Sequence, residues 1–430
     1  MMIRSFGCLS LWCALLVFSV SAQGVDFGNE IVIHRDNAPF QFGRNTRGVL
    51  GVDSMGHVHL VYWVPDETSN PPDNQIWYMT IEDGQASAPI RVDSGEMGGG
   101  RHPALAIDAS NTVHVVWQDY RHTTSLGHYI DNIEIYYDKK PAEGSFFDTD
   151  IRISHSNAGH LGDNGFVPGI VLGPENRIHV VWYDFGRDGT SADVYLRSST
   201  DQGEFPAQTG IEQFRITNAG LSDEYTGNWM PGAALLNDGS VYPVWGFLQG
   251  WQGDFRIQGR RIAPDGTLGP VDSISETGSS FFDPVRLASD RNGNLGLVYS
   301  ARVSAQSVVQ FQYRPNGGEW SQPVVLNSGM SDASQPDVVF DSAGKAYVVW
   351  QEDNFGFYQI HFATIEPESL SVEGHQVLSF DDMDARTPAI ALHSITDQLH
   401  IVWIDRTAET EQTIVYRARQ LTAIDLWQLH

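Results

Sequence analysis

One pattern recurs seven times along this 430-residue chain and decides what it can fold into. A short apolar strand is followed by a turn and then by a second apolar strand that ends in an aromatic. The second strand reads VHLVY ending at Tyr62, VHVVW at Trp117, IHVVW at Trp182 and VYPVW at Trp245. It then reads LGLVY at Tyr299, AYVVW at Trp350 and LHIVW at Trp403. The intervals between these aromatics are 55, 65, 63, 54, 51 and 53 residues. Proline opens the first strand at Pro103, Pro168, Pro231, Pro284, Pro336 and Pro388, with Gly48 at the equivalent place in the first unit. The turns between the two strands (DSMG at 53–56, DASN at 108–111, NDG at 237–239, DRNG at 290–293, DSAG at 341–344) have hairpin chemistry. Asp accepts local backbone bonds there, and Gly or Asn tolerates positive φ.

A third strand follows each aromatic: IWYMTI, IEIYY, DVYLRSS, FRIQGRRI, VVQFQY, YQIHFATI and TIVYRAR. A weaker fourth strand closes six of the units, as in DIRIS or PVVLN, and the seventh can take Glu30-Ile31-Val32-Ile33-His34 from the N-terminus. Even spacing without helical periodicity predicts an all-β fold: a seven-bladed β-propeller of four-stranded antiparallel blades, its ring closed by an N-terminal strand. Closure removes an exposed sheet edge. A pair of β-sandwiches would not explain the spacing.

The repeat also assigns roles. His59, His114, His179 and His400 all lie three residues before their aromatic, so they read as architectural. Asp119, Asp184, Asp405 and Glu352 recur two residues after it and read as loop-holding acceptors. The aromatics read as packing between blades.

Both cysteines, Cys8 and Cys13, fall in the first 22 residues. That stretch has a basic start (MMIR), a short apolar run and Val20-Ser21-Ala22 before a cleavage point, the pattern of a signal peptide over 1–22. The expected product is one propeller domain over 23–430, secreted or periplasmic, monomeric and not inserted in a membrane. It would have no cysteine for a nucleophile or a cysteine-ligated metal. Acidic residues number 53 against 26 basic ones, a net charge of -27, and only three of the basic residues are lysines. Nucleic acid is excluded as a partner, because phosphate contacts need clustered Lys and Arg.

Phrases such as VHVVWQDYR, HVVWYDFGRDG and DVYLRSSTDQGEF resemble the sialidase-like propellers that carry Asp-box repeats. Ser199, Asp201 and Gly203 keep part of such a box, and RPNGGEW at 314–320 is a more decayed copy. Sialidases have six blades, and seven units resemble more closely the seven-bladed polysaccharide lyases, ulvan lyases among them. That looser resemblance implies a glycan partner and a site of His, Tyr and Arg on adjacent blades.

Loops leading into first strands and out of second strands open on one face, and they are longest over units one to four. Versatile side chains gather there. β-Elimination at a uronate needs a cation on the carboxylate, a base for the α-proton and an acid for the leaving oxygen. The expected catalytic set is His102 and His122 as base and acid or near the carboxylate, Tyr183 as a second proton-transfer group, and Arg197 or Arg187 as neutraliser. Arg101, Arg187, Tyr225, Trp229, Arg47 and Arg386 are expected to bind substrate, and Arg47, Arg101, Arg121, Arg187 and Arg386 to make the cleft locally basic. A hydrolase would instead draw on Asp119, Asp184, Glu224 and Asp283, and a passive glycan- or protein-binding envelope propeller would need no catalytic group. No cofactor is required. Structural calcium at DSAGK, or a metal on His128, His160 and Asp163, stays open.

Overall fold

The computed structural model describes residues 27–36, 41–42, 48–65, 74–94, 99–122, 133–146, 150–155, 164–185, 192–201, 203–205, 214–217, 227–248, 255–275, 285–303, 306–327, 329–380, 383–406 and 411–419. Among them the secondary structure is β, apart from a single 3-10 turn at Pro174–Asn176. No helix among the described residues is long and apolar enough to cross a membrane. The segment expected to be a signal peptide lies outside the described residues.

The second strands fall where the repeat puts them: Val58–Val64, Val113–Asp119, Ile178–Phe185, Val241–Leu248, Leu295–Val303, Ala346–Asn354 and Leu399–Arg406. Each pairs antiparallel with a first strand before it and a third strand after it. The first strands are Leu50–Val52, Gly100–Ile107, Asn164–Leu172, Gly227–Leu235, Arg286–Ser289, Ala333–Phe340 and Asp384–Leu392. Each first strand packs beside the next one in sequence, and the seventh packs beside the first. The N-terminal strand Ile31–Asp36 pairs antiparallel with Gln412–Arg419, the third strand of the last unit. One parallel bridge, Ala192 with Gly227, links units three and four into a single eight-stranded sheet, while the other sheets stay separate.

The repeat aromatics hold this arrangement together. Trp117, Trp182, Tyr299, Trp350 and Trp403 are 0% exposed, Trp245 1% and Tyr62 2%, which makes all seven core residues. They pack between neighbouring units: Trp350 lies with Val298 and Phe311, and Trp403 with Val349 and Phe362. The acids two residues on accept from the buried indole N–H at Trp117–Asp119 (2.9 Å), Trp350–Glu352 (3.1 Å) and Trp403–Asp405 (2.8 Å). An indole nitrogen without a partner would cost about 1–3 kcal/mol, so these carboxylates stabilise the core.

The recurring histidines are architectural as well. His59, His114 and His400 meet the hydroxyls of Tyr78, Tyr137 and Tyr416 on their third strands, and His179 meets Ser198. Turn aspartates complete the pattern. Asp53, Asp108, Asp290 and Asp341 each accept the N–H groups two and four residues ahead through one oxygen. Gly56, Asn111, Gly293 and Gly344 take the positive φ that these turns require. The Asp341 carboxylate also accepts from the Tyr347 hydroxyl.

Candidate functional site

Five first strands share a feature that the periodicity does not reveal. The residue before the opening proline sits in the left-handed region: His102 (φ 52), Val167 (φ 48), Met230 (φ 53), Gln335 (φ 54) and Thr387 (φ 52). Each marks a register shift against the second strand. Left-handed backbone is costly for non-glycine residues and disfavoured before proline, so the fold imposes a bulge at the same end of each sheet. Preceding the bulges are Arg101, Phe166, Trp229, Ser334 and Arg386, all half-buried. Their cross-strand partners are Gln118, Tyr183, Gly246, Gln351 and Ile404. The bulges thus aim a set of equivalent, chemically different side chains at one end of the molecule.

Over units one to four these side chains form a continuous chain of contacts. His102 meets the edge of Trp63 at 5.9 Å between centroids. The Arg101 guanidinium lies over Trp63 (5.3 Å) and over Tyr120 (5.0 Å). The Gln118 amide donates to the Tyr120 hydroxyl (2.8 Å), and its oxygen accepts the N–H of Val167 in the next unit (3.0 Å). Tyr183 stacks on Phe166 (5.2 Å) and meets Trp229 edge-on (5.4 Å). Burial pushes the Tyr120 phenol up, with Arg101 acting against it. Burial also pushes the Tyr183 phenol up, and nearby Tyr120 adds to the rise. Both enter neutral solution as proton-carrying phenols.

Arg101 and His102 therefore share the Trp63 ring, and Tyr183 and Trp229 touch each other in the next two units. Arg386 occupies the equivalent position in unit seven, over the Tyr358 ring (4.3 Å) and bonded to Asp384 (2.8 Å). Arg47, Arg187 and Tyr225 lie outside the described residues, as do His128, His160, Asp163, Glu224 and Asp283. Among the described residues no group of three or more His, Cys, Asp or Glu could hold a metal ion.

Three expectations need correction. Arg197 is 2% exposed and donates to the carbonyls of Arg152 (3.1 Å) and Ile153 (3.0 Å) in the neighbouring unit. It pairs across the sheet with Val180, toward the hairpin-turn end of the unit and away from Tyr183. A buried guanidinium bound to backbone carbonyls is a brace and cannot neutralise a substrate. His122 does not join His102. It bonds the Tyr136 hydroxyl (2.6 Å) and stacks on that ring, on the third strand of its sheet. Two strand spacings, about 10 Å, separate that strand from the first. Burial and then Arg152 lower the His122 pKa, against Glu134 and Asp119. Arg121 does not make the cleft basic either, because it is clamped between Asp119 and Asp150.

Trp63, Gln118, Tyr120 and Phe166 complete the chain of contacts and were not singled out from sequence. Tyr120 carried the clearest signal, in the VHVVWQDYR phrase just past the repeat tryptophan. Asp119 and Asp184, considered for hydrolysis, are buried and committed, to Trp117 and Arg121 and to the Asn164 N–H.

No family model matches this chain, and no curated protein matches it in sequence. Solved structures do match its fold. The polysaccharide lyase Uly1 aligns with a TM-score of 0.57 at 10% identity, covering 92% of this chain and 100% of that one. A family 25 ulvan lyase bound to -[GlcA(1-4)Rha3S]- aligns at 0.55 with 11% identity, covering 92% and 99%. The α-L-arabinofuranosidase Arb93A of Fusarium graminearum aligns at 0.50 with 12% identity, covering 80% and 99%. At such identities the likeness is one of fold: the chain has the fold of β-propeller enzymes.

Proposed function

We propose that this chain is a secreted seven-bladed propeller over residues 23–430 that cleaves a uronate-containing polysaccharide by β-elimination. The cyclic packing of first strands supports seven blades, and the pairing of Ile31–Asp36 with the last unit supports closure by the N-terminus. The observation that carries the reaction is the seat of Arg101 between two aromatic faces, with His102 beside it and Tyr183 beyond.

Arg101 neutralises the sugar carboxylate, which acidifies the neighbouring C–H and stabilises the charge that develops there. His102 takes that proton, since imidazole titrates nearest neutrality among side chains. The electron pair forms the ring double bond, and the bond to the leaving glycosidic oxygen breaks. Tyr183, held in its protonated form by burial, donates the proton that this oxygen needs. Trp63 and Trp229 supply the apolar surface that seats the sugar rings. The five equivalent positions differ from unit to unit, which favours one unique site over a lectin's repeated ones.

The test is incubation with a panel of uronic-acid polysaccharides while following the ultraviolet absorbance of an unsaturated uronate. Absorbance that grows with wild type and not with His102→Asn or Arg101→Gln supports the reading. New reducing ends without absorbance would mean hydrolysis, and binding without cleavage would mean a passive propeller.

A further inference from the structure

The third strands carry a ring or a large apolar side chain at one cross-strand position in six units. Opposite Val61, Val116, Val181, Val298, Val349 and Val402 stand Tyr78, Tyr137, Leu196, Phe311, Phe362 and Tyr416. Unit four has Gly259 there, opposite Val244. The Tyr242 ring has moved into part of that space, so a Cβ on Gly259 would sit 3.0 Å from it. Near it, a groove of about 660 Å³ runs between the outer edges of units four and five, lined by residues 271–275 of unit four and by Gln312 and residues 319–323 of unit five. That volume lies within the roughly 300–1,000 Å³ of small-molecule clefts.

A second departure occurs on the other wall. Units two and three place a phenylalanine after the turn leaving the third strand, and Phe146 and Phe205 are buried against Tyr78 and Tyr137. Unit five has Trp320 at that place, half-buried and lining the groove. Its indole N–H donates to the Tyr242 hydroxyl (3.3 Å), which in turn donates to Asp272 (2.5 Å), so the ring is held in one orientation. Ser273, Glu319 and Gln322 bring further polar groups to the walls. The described lining contains Asp272 and Glu319 and no Lys, Arg or His. Arg314, just beneath, is engaged with Asp272 and the Gly318 carbonyl.

We infer that this groove is a second carbohydrate site, and that it takes an uncharged sugar. A fixed indole face with carboxylates and amides around it matches a pyranose, whose C–H face is apolar and whose rim carries hydroxyl donors. With Asp272 already paired to Arg314, Glu319 is the carboxylate of the described lining that disfavours a uronate or sulfated sugar, the opposite preference to that of Arg101. The groove lies at the lower ends of its strands, where Arg314 pairs with Leu295, away from the bulges that present Arg101. The inference stands whether or not the Arg101 end is catalytic.

The experiment is titration calorimetry on the full chain with neutral gluco-, xylo-, manno- and galacto-oligosaccharides, and with a uronate oligosaccharide as contrast. The Arg101→Gln variant should bind a neutral oligosaccharide as wild type does, which separates this site from the other. Trp320→Ala should weaken that binding at least 10-fold. Ser273→Trp changes an exposed residue and fills the groove without touching the core, so it should do the same at unchanged melting temperature. Failure of every neutral sugar to bind, or binding unaltered in both groove variants, overturns the inference. So does a uronate that competes for the groove.

Discussion

Replacing Arg197 by Met separates a structural arginine from a catalytic one. In the structure its guanidinium gives two hydrogen bonds to backbone carbonyls of the neighbouring unit and lies over the Phe205 ring (5.4 Å). A hydrogen bond from a charged donor contributes about 1.5–3 kcal/mol, and a buried acceptor left alone adds a desolvation cost. Met keeps much of the apolar stem, so the expected loss is about 4 kcal/mol. Unfolding entropy of about 2.1 cal/mol/K per residue over roughly 400 residues gives about 0.8 kcal/mol per degree, hence a drop in Tm of about 5 °C. Calorimetry measures that drop, and lyase assays at 25 °C measure kcat/KM per folded molecule. The reasoning requires a lowered Tm with unchanged kcat/KM. A Tm within 1 °C of wild type, or a tenfold loss of kcat/KM without loss of folded protein, would refute the brace and return Arg197 to the site.

Other consequences can be checked alongside. His102→Asn keeps a residue that tolerates φ near 52, so activity should fall at least 100-fold while Tm stays within about 2 °C; an active variant removes His102 as base. Arg101→Gln should lower kcat/KM by about 10²–10³, and Arg101→Lys should restore little, because an ammonium cannot stack as a guanidinium does; full rescue by Lys would reduce the site to simple charge. Burial holds His179 and His400 down at about 4, so the unfolded chain binds more protons than the folded one between pH 6.5 and 4. Stability should be highest above pH 6.5 and fall through that window by up to about 1.4 kcal/mol per pH unit per histidine, flattening below 4. A melt series in which His400→Gln leaves the slope unchanged contradicts this. Raising salt from about 10 to 150 mM shrinks the Debye length from about 30 to 8 Å, so KM for an anionic polymer should fall as net repulsion is screened; a rise would show that local attraction dominates.

The framework was legible because it is periodic. Seven aromatics at near-even spacing can be buried together only as equivalent units, and Trp117, Trp182 and Trp403 are buried as that logic requires. The four recurring histidines were likewise readable as architecture. The site was legible only in part, because side-chain direction at the strand ends is set by bulges. Nothing local in GRHPA shows that His102 takes a left-handed conformation, yet that turn orders Arg101 against Trp63 and Tyr120. Trp63 was hidden behind the repeat aromatic it follows. Arg197 resembles any polar residue on a third strand, and its partners lie 44 and 45 residues away in sequence. His122 was grouped with His102 because a hairpin joins them, but a hairpin fixes only which end of a sheet a residue reaches. Whether it lies over the first strand or the third depends on packing, here against Tyr136.

The net charge of -27 stood as the main objection to an anionic substrate, and the structure changes its weight. Part of the acid belongs to the framework. Asp53, Asp108, Asp290 and Asp341 bind the N–H groups of their own turns, and Asp119, Glu352 and Asp405 cap tryptophans. Asp193 is tied to Arg215, Thr217 and Asn228. Such carboxylates recur at equivalent positions of the repeat, so a chain of repeated units accumulates them whatever it binds. The potential at a site is governed by charges within about a Debye length, 8–10 Å at moderate salt, not by the formal sum. At the bulged ends that distance contains Arg101 on its two aromatic faces, and also the buried Asp119, which is held by Trp117 and Arg121. With three lysines in the whole chain, the cations that remain are guanidinium groups, which stack on aromatic rings and bind carboxylates through paired N–H groups. On the proposed reading, Arg101 is the guanidinium that meets one substrate carboxylate, so a negative formal sum does not by itself argue against an anionic substrate.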